Sequence, residues 1–353
     1  GDTDVVRFDA SGTYDFTNAS VRNIERVAVN ADAEMTITLG DDFNTDNGNV
    51  EVTNTTGAAI SNDLTIDASA FNGGTAAINV SATDLDGNDS IVGGAGDDTI
   101  NGGGGDDTVV GGAGNDTINE GSGNNSLTGG AQNDTFNLSG GVNTVTDAGV
   151  GQDAVNVTDG DNTINVTSTD QVTLTASAGT TTVDGDGVNS DIVVNASSTA
   201  KVTISGGAGT DTLDASGSTA GVTLIAGEGS DTLTGGQGGD EIDLRNSVDG
   251  NVVVVKQIED SVAFGGLSNV DKIIGFDLRT DKLSIEYKTA GNVAGKADPS
   301  LSYRTVNIDN PANFASQLDS QIRPFMEANE TSLVWVNAIF GEGTAAATTK
   351  YYL

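Results

Sequence analysis

Between residues 84 and 137 six consecutive nonapeptides repeat one arrangement: DLDGNDSIV, GGAGDDTIN, GGGGDDTVV, GGAGNDTIN, EGSGNNSLT and GGAQNDTFN. The middle three fit G-G-x-G-x-D-x-U-x without exception, where U is a large apolar residue. Further copies are AGVGQDAVN at 148–156, GGAGTDTLD at 206–214, AGEGSDTLT at 226–234 and GGQGGDEID at 235–243. The chemistry on offer is carboxylate oxygen beside bare main chain. Glycines let the chain turn through backbone angles closed to other residues, and they leave carbonyls unobstructed. If two nonamers make one flattened coil, each loop lies over the loop two repeats earlier, at the ~4.8 Å interstrand spacing. Asp98 then stacks with Asp116, and Asp89 with Asp107. Unit charges so placed repel by on the order of 1 kcal/mol in water and several-fold more beside protein, so the stack calls for a cation. Ca²⁺ takes oxygen ligands from carboxylates and carbonyls, and binding of this kind is coupled to folding.

The candidate ligands follow residue by residue. In the first segment they are Asp89, Gly94, Gly96, Asp98, Gly103, Gly105, Asp107, Gly112, Gly114, Asp116, Asp134 and Asp153. In the second they are Gly207, Gly209, Asp211, Gly227, Gly229, Asp231, Gly236, Gly238 and Asp240. The carboxylate pairs are Asp89/Asp107, Asp98/Asp116, Asp134/Asp153 and Asp211/Asp231, with Asp240 lacking a clear partner and Asn125 weakening the sites on its side. That arithmetic gives roughly four to six Ca²⁺. A flexible acidic linker is the plain alternative, but linkers do not hold Ile91, Ile100, Val109, Ile118, Leu127 and Phe136 nine residues apart. GxGxxG-like strings lack the strand-and-helix context of a nucleotide site, and DGDG at 184–187 reads as a turn.

The elements that position these loops are short strands whose apolar residues face inward. The inward series continues through Val145, Val155, Ile164, Val172, Val183, Ile192, Val202, Leu213, Val222, Leu233 and Ile242. The fold class expected is all-β: a parallel β-roll or β-solenoid. Five divisions follow: an irregular solenoid over 1–83, a first calcium segment over 84–156, a non-calcium connector over 157–205, a second calcium segment over 206–243, and a cap over 244–353. The connector is rich in Thr, Val and Asn, which suit strands and side-chain ladders. Upstream, Val27–Val29, Met35–Leu39, Val50–Val52, Leu64–Ile66 and Ile78–Val80 alternate with period two, as looser coils or, alternatively, an antiparallel sandwich.

Composition separates the last part. The 353 residues hold 51 acidic and 14 basic side chains, 36% hydrophobic residues, no Cys and no His, for a net charge of −37. Residues 244–353 carry 10 basic and 13 acidic residues, a net of −3, which leaves −34 on residues 1–243. All three prolines and the single Trp fall after 243. There the pattern predicts strands at Val252–Val255, Lys272–Phe276, Leu283–Tyr287, Leu333–Phe340 and Lys350–Leu353. It also predicts one helix from Asn310-Pro311 carrying Phe314, Leu318 and Ile322 on one face, with Trp335, Tyr351 and Tyr352 in a core. Without His or Cys, disulfides, thiolate or imidazole metal sites and Ser-His-Asp or Cys-His catalysis are excluded. The acidity argues against nucleic acid as a partner, and no run of 18 apolar residues suggests a membrane span.

The nonamers resemble the calcium-binding repeat of RTX proteins. Phrases such as VRNIERVAVNADAEMTITL and LTIDASAF resemble the solenoid of RTX-type surface-layer (S-layer) proteins. NVDKIIGFDLRTDKLSIEY and the later NFASQLDSQI, SLVWVNAIFG and TTKYYL resemble the C-terminal region of type I secretion substrates. GDTDVVRFDA lacks a basic and apolar leader pattern, so either a signal has been removed or export runs on another route; the resemblance implies the latter, export by the type I secretion machinery without a cleaved signal. It also implies folding on Ca²⁺ outside the cell and self-association into a lattice or filament, with an outer-surface polysaccharide or lipid as a candidate anchor. The secretion half of a larger exoenzyme or toxin, and an adhesin, are the alternatives. Catalysis within the chain is not expected.

Overall fold

The computed structural model describes residues 4–17, 24–29, 34–40, 50–54, 62–70, 77–80, 86–147, 151–165, 171–185, 192–245, 247, 250–257, 272–274, 281–288 and 303–308. The chain forms two compact units, Gly1–Asp184 and Gly185–Leu353.

In the first unit two parallel sheets alternate along the chain. One stacks Val5–Phe8, Arg26–Val29, Val50–Asn54, Ile78–Val80, Thr99–Gly104, Thr117–Ser122, Thr135–Leu138, Gln152–Val157 and Gln171–Ala176. The other stacks Gly12–Asp15, Met35–Gly40, Leu64–Ala70, Ser90–Ala95, Thr108–Ala113, Asn124–Ala131, Val142–Asp147, Asp161–Asn165 and Thr180–Asp184. Every strand pairs with the second strand on, so each pair of strands is one coil of a parallel β-solenoid. The register is Val109↔Ile91 and Val109↔Leu127 on one side, and Ile118↔Ile100 and Ile118↔Phe136 on the other. The upstream strands join the same parallel stacking (Val27↔Val52, Ile37↔Ile66), which excludes an antiparallel sandwich there.

The core explains the nine-residue period. Strands such as Met35–Gly40, Thr135–Leu138 and Gln152–Val157 alternate buried residues with more exposed ones, as a sheet with one inward face must. All seventeen residues of the inward series from Ile91 to Ile242 are at most 2% exposed. A second inward position lies two residues further on. Leu138, Val157 and Ala176, paired in register, fill it in one part of the unit, whereas the nonamers place their first glycine there (Gly93, Gly102, Gly111, Gly129). That exchange of an apolar side chain for glycine is what makes room for the inward carboxylates described below.

In the second unit Val193–Ser198, Thr212–Asp214, Thr232–Thr234, Val252–Gln257 and Lys282–Lys288 stack in parallel, as do Lys201–Ser205, Val222–Ile225, Glu241–Asp243 and Lys272–Ile274. Parallel pairing therefore runs past residue 243, where the composition changes. Tyr303–Ile308 then pairs antiparallel with Lys282–Lys288. No helix occurs among the described residues. The helix expected from Asn310, the strands at 333–340 and 350–353, and Trp335, Tyr351 and Tyr352 lie outside the described residues.

Candidate metal centre

In most nonamers a glycine-rich turn is followed by a strand that starts one residue after the Asp, as at Asp98, Asp107, Asp116 and Asp211. Gly114 shows why the turn needs glycine. Its φ is +134°, and a Cβ there would overlap the carbonyl oxygen of Gly96 in the preceding coil. Gly96 N–H donates to Ala113 O at 2.7 Å and Gly114 N–H to Ala131 O at 3.1 Å, so successive turns are hydrogen-bonded as the strands are. Gly94, Gly103, Gly105, Gly112, Gly207, Gly209, Gly227 and Gly229 also have positive φ. Gly236 and Gly238 do not share this conformation. In that turn Asp240 folds back, and its Oδ2 accepts Gly236 N–H at 2.7 Å.

The inward Asp of every turn is tied to the coil before it. Asp107 Oδ1 accepts Asp89 N–H, Asp116 Oδ1 accepts Asp98 N–H, Asp134 Oδ1 accepts Asp116 N–H and Asp153 Oδ1 accepts Asp134 N–H, each at 2.8 Å. Asp89 and Asp98 make the same bond to Leu64 and Ile78, at 2.7 and 2.6 Å. Asp211 and Asp231 repeat it on Ile192 and Asp211, both at 2.9 Å, and Asp240 on Val222 at 3.0 Å. The structure thus brings together Asp89/Asp107, Asp98/Asp116, Asp134/Asp153 and Asp211/Asp231, and it sets Asp240 over Val222. The column of Asp211 and Asp231 continues through Asn251, whose Oδ1 accepts Asp231 N–H, to Asp281, which accepts Asn251 N–H, both at 2.9 Å. Sequence reading missed Asn251 and Asp281 because no glycine pattern precedes them.

A carboxylate has two oxygens, and these ladders use one. The second oxygen, Oδ2, of Asp89, Asp98, Asp107, Asp116 and Asp134 is buried without a hydrogen-bond partner. In Asp98 and Asp116 it points into the space under the first glycine of its own turn. A Cβ on Gly93 would fall on Asp98 Oδ2, with Gly111 O of the next coil 2.6 Å away. A Cβ on Gly111 would fall on Asp116 Oδ2, with Gly129 O at 2.7 Å. Gly206 repeats this with Asp211 Oδ2 and Ala226 O at 2.5 Å. Each cradle therefore sets one buried charged oxygen against a carbonyl of the next coil. Burial, the largest influence, pushes Asp89, Asp98 and Asp134 up to about 7 and Asp116 to about 6, against the lowering effect of their amide donors. Asp107 and Asp240 are raised for the same reason.

The donor set fits a hard divalent cation. Ca²⁺ accepts about 6–8 oxygens at about 2.3–2.6 Å and tolerates irregular geometry. Among the described residues no three carboxylates converge on one point. A cation here would be held by the inward Asp of a turn together with main-chain carbonyls, which the glycines leave open. The charge it supplies would offset the desolvation that raises the carboxyl groups.

The turns carry a second ladder that the sequence reading did not separate from ordinary turn chemistry. From Asp89 to Asp134 the residue before each inward Asp is Asp or Asn, and it reaches the opposite way. Asn88 Oδ1 accepts Asp106 N–H, Asp97 Oδ1 accepts Asn115 N–H, Asp106 Oδ1 accepts Asn124 N–H, and Asn133 Oδ1 accepts Gln152 N–H, at 2.7–2.8 Å. Adjacent turns are thus clamped twice, once in each direction. Asn ladders occur too, beginning upstream of the 157–205 connector and reaching it at Asn162. Asn101, Asn119, Asn137 and Asn156 link outward side chains at 2.7–2.9 Å. Asn125, Asn143 and Asn162 link inward ones at 2.7–2.8 Å. The inward Asn series continues the column of Asp89 and Asp107, so that column changes from charged to neutral at Asn125.

The family described as the RTX calcium-binding nonapeptide repeat matches the chain in four copies, at residues 84–118, 121–145, 202–219 and 221–246. No curated protein and no solved structure matches the chain significantly. Among the described residues no helix is long and apolar enough to cross a membrane. Most of the glycine turns and inward Asp ladders fall inside the four family matches, and over those spans the chain carries RTX calcium-binding nonapeptide repeats.

Proposed function

We propose that this chain is a calcium-dependent structural protein of the bacterial cell surface, an S-layer subunit or the assembly domain of one. It leaves the cell by a type I route, folds when it meets Ca²⁺ outside, and has no catalytic role of its own. The observation that carries this reading is the set of buried Oδ2 atoms in the nonamer turns. Ionised carboxylates in such positions oppose folding at neutral pH unless a cation joins them. A chain built this way stays extended where free Ca²⁺ is scarce, which suits export, and closes into coils where Ca²⁺ is abundant.

The scaffold reading is supported by what surrounds the calcium turns. Coils with no calcium motif precede them, with cores of Val, Ile, Leu and Met. The net charge of −37 far exceeds what roughly four to six bound Ca²⁺ would neutralise. Contacts between copies would therefore need further divalent cations at the surface. Electron microscopy of the purified chain with Ca²⁺ and with chelator tests the proposal: ordered sheets or filaments in Ca²⁺ support it, and dispersed monomers at all Ca²⁺ concentrations refute self-assembly. A hydrolase screen showing Asp-dependent turnover would refute the non-catalytic reading.

A further inference from the structure

Glu120 stands where neighbouring nonamers have their first glycine. It is the first residue of EGSGNNSLT, aligned with Gly93, Gly102, Gly111 and Gly129. Its strand pairs Glu120 with Leu138 on one side and Gly103 on the other, the latter across an irregularity in register. The side chain turns inward and is 2% exposed, and neither Oε1 nor Oε2 has a hydrogen-bond partner. It enters the cradle of the preceding coil. A Cβ on Gly102 would fall on Glu120 Oε2, with Oε1 at 2.7 Å. In the cradles under Gly93 and Gly111 that space belongs to the Oδ2 of Asp98 and Asp116. The acidic groups that act on Glu120 most strongly are Asp107 and then Asp89, the two inward carboxylates of this column.

The same turn is deficient in another respect. Where the consensus has its inward Asp, this nonamer has Asn125, whose Oδ1 accepts Asp107 N–H at 2.9 Å and whose Nδ2 donates to Asn143 Oδ1 at 2.7 Å. Asn125 keeps the clamp between coils but has no charged oxygen to spare. We propose that Glu120 is a calcium ligand: reaching from its own coil into the turn of Gly102–Asp107, it supplies the charged oxygen that Asn125 lacks. A purely structural role explains the residue poorly. A glycine or a leucine fits the position in adjacent coils, while a glutamate brings two buried oxygens with no hydrogen-bond partner.

The inference rests on calcium occupying the turns, and the experiment separates the two. The full chain is stripped with chelator and titrated with CaCl₂ by calorimetry, with bound ions counted by atomic emission after dialysis, for the parent, Glu120→Gln and Glu120→Gly. Both variants are expected to bind one ion fewer, or to bind it roughly tenfold or more weakly, because ligand charge sets calcium affinity. Asn125→Asp added to Glu120→Gly rebuilds a consensus turn and is expected to restore that ion. A parent that binds no calcium overturns the calcium reading and this inference together. A calcium-binding parent whose folded variants match it in ion count and affinity overturns only the assignment of Glu120. If Glu120→Gln does not fold in saturating Ca²⁺, Glu120→Gly decides. If that variant also fails to fold, rescue by Asn125→Asp supports the assignment and lack of rescue overturns it.

Discussion

Asp116 accepts the amide proton of Asp98, one coil earlier, through Oδ1 at 2.8 Å and keeps Oδ2 buried with no hydrogen-bond partner. One carboxylate thus serves two purposes that substitution can separate. Asp116→Asn retains an oxygen for the Asp98 amide but removes the charge. Asp116→Ala removes both. The asparagine variant is expected to fold in Ca²⁺ with one ion lost or weakened. The alanine variant is expected to lose about 1–3 kcal/mol more, the cost of a buried amide left without an acceptor. Ion counting combined with denaturant unfolding in saturating Ca²⁺ checks both.

The glycine before each cradle offers a test that touches no charge. Gly111 lies over Asp116 Oδ2 with Gly129 O 2.7 Å from where a Cβ would stand. Gly111→Ala would put a methyl group onto Asp116 Oδ2 and displace the oxygen offered to the cation. The expected result is loss of that ion, read by calorimetry, with all carboxylates still present. The same substitution at Gly114, with φ +134° and the Gly96 carbonyl in the way, is expected to destabilise by about 1–3 kcal/mol through backbone strain.

Acidity should substitute for calcium. With Ca²⁺ chelated, Asp89, Asp98 and Asp134 sit near 7 and Asp116 near 6 in the fold, against an ordinary value of 3.8. Raised carboxyl groups favour the fold most when protonated. Their contribution is complete below about pH 4 and is lost as pH rises through 6 and 7. Circular dichroism in chelator is therefore expected to show β structure gained on acidification from pH 8 towards pH 5. In Ca²⁺ the trend reverses, because acid competes with the ion for the same oxygens.

Gln132 holds a φ of +81° in the position where the consensus has glycine. Gln132→Gly removes that strain at the cost of a looser unfolded chain. A net gain of about 1 kcal/mol is expected, seen as a higher denaturant midpoint in Ca²⁺ without change in ion count.

Much of this architecture is written in the spacing. Ile91, Ile100, Val109 and their successors fix both the coil and the face that turns inward, because a nine-residue half-coil with a strand of period two has one place for a large apolar residue. The pairing of Asp98 with Asp116 follows from the same arithmetic. What stayed hidden depends on contacts between coils. The opposite reach of Asp97 and Asp116 cannot be told from two acidic turn residues in sequence. Glu120 acts on a turn 18 residues earlier, so its own nonamer shows only a departure from consensus. Asn251 and Asp281 extend a ladder without the glycines that marked the rest of it.

The buried inward carboxylates should make folding conditional on calcium. Far-UV circular dichroism of the full chain at pH 7.5, recorded in chelator and then through a CaCl₂ titration, tests it most directly. A largely unfolded spectrum is expected in chelator, with a cooperative gain of β signal as Ca²⁺ is added and far less gain at the same concentration of Mg²⁺. A full β spectrum in chelator, unchanged by Ca²⁺, would contradict it.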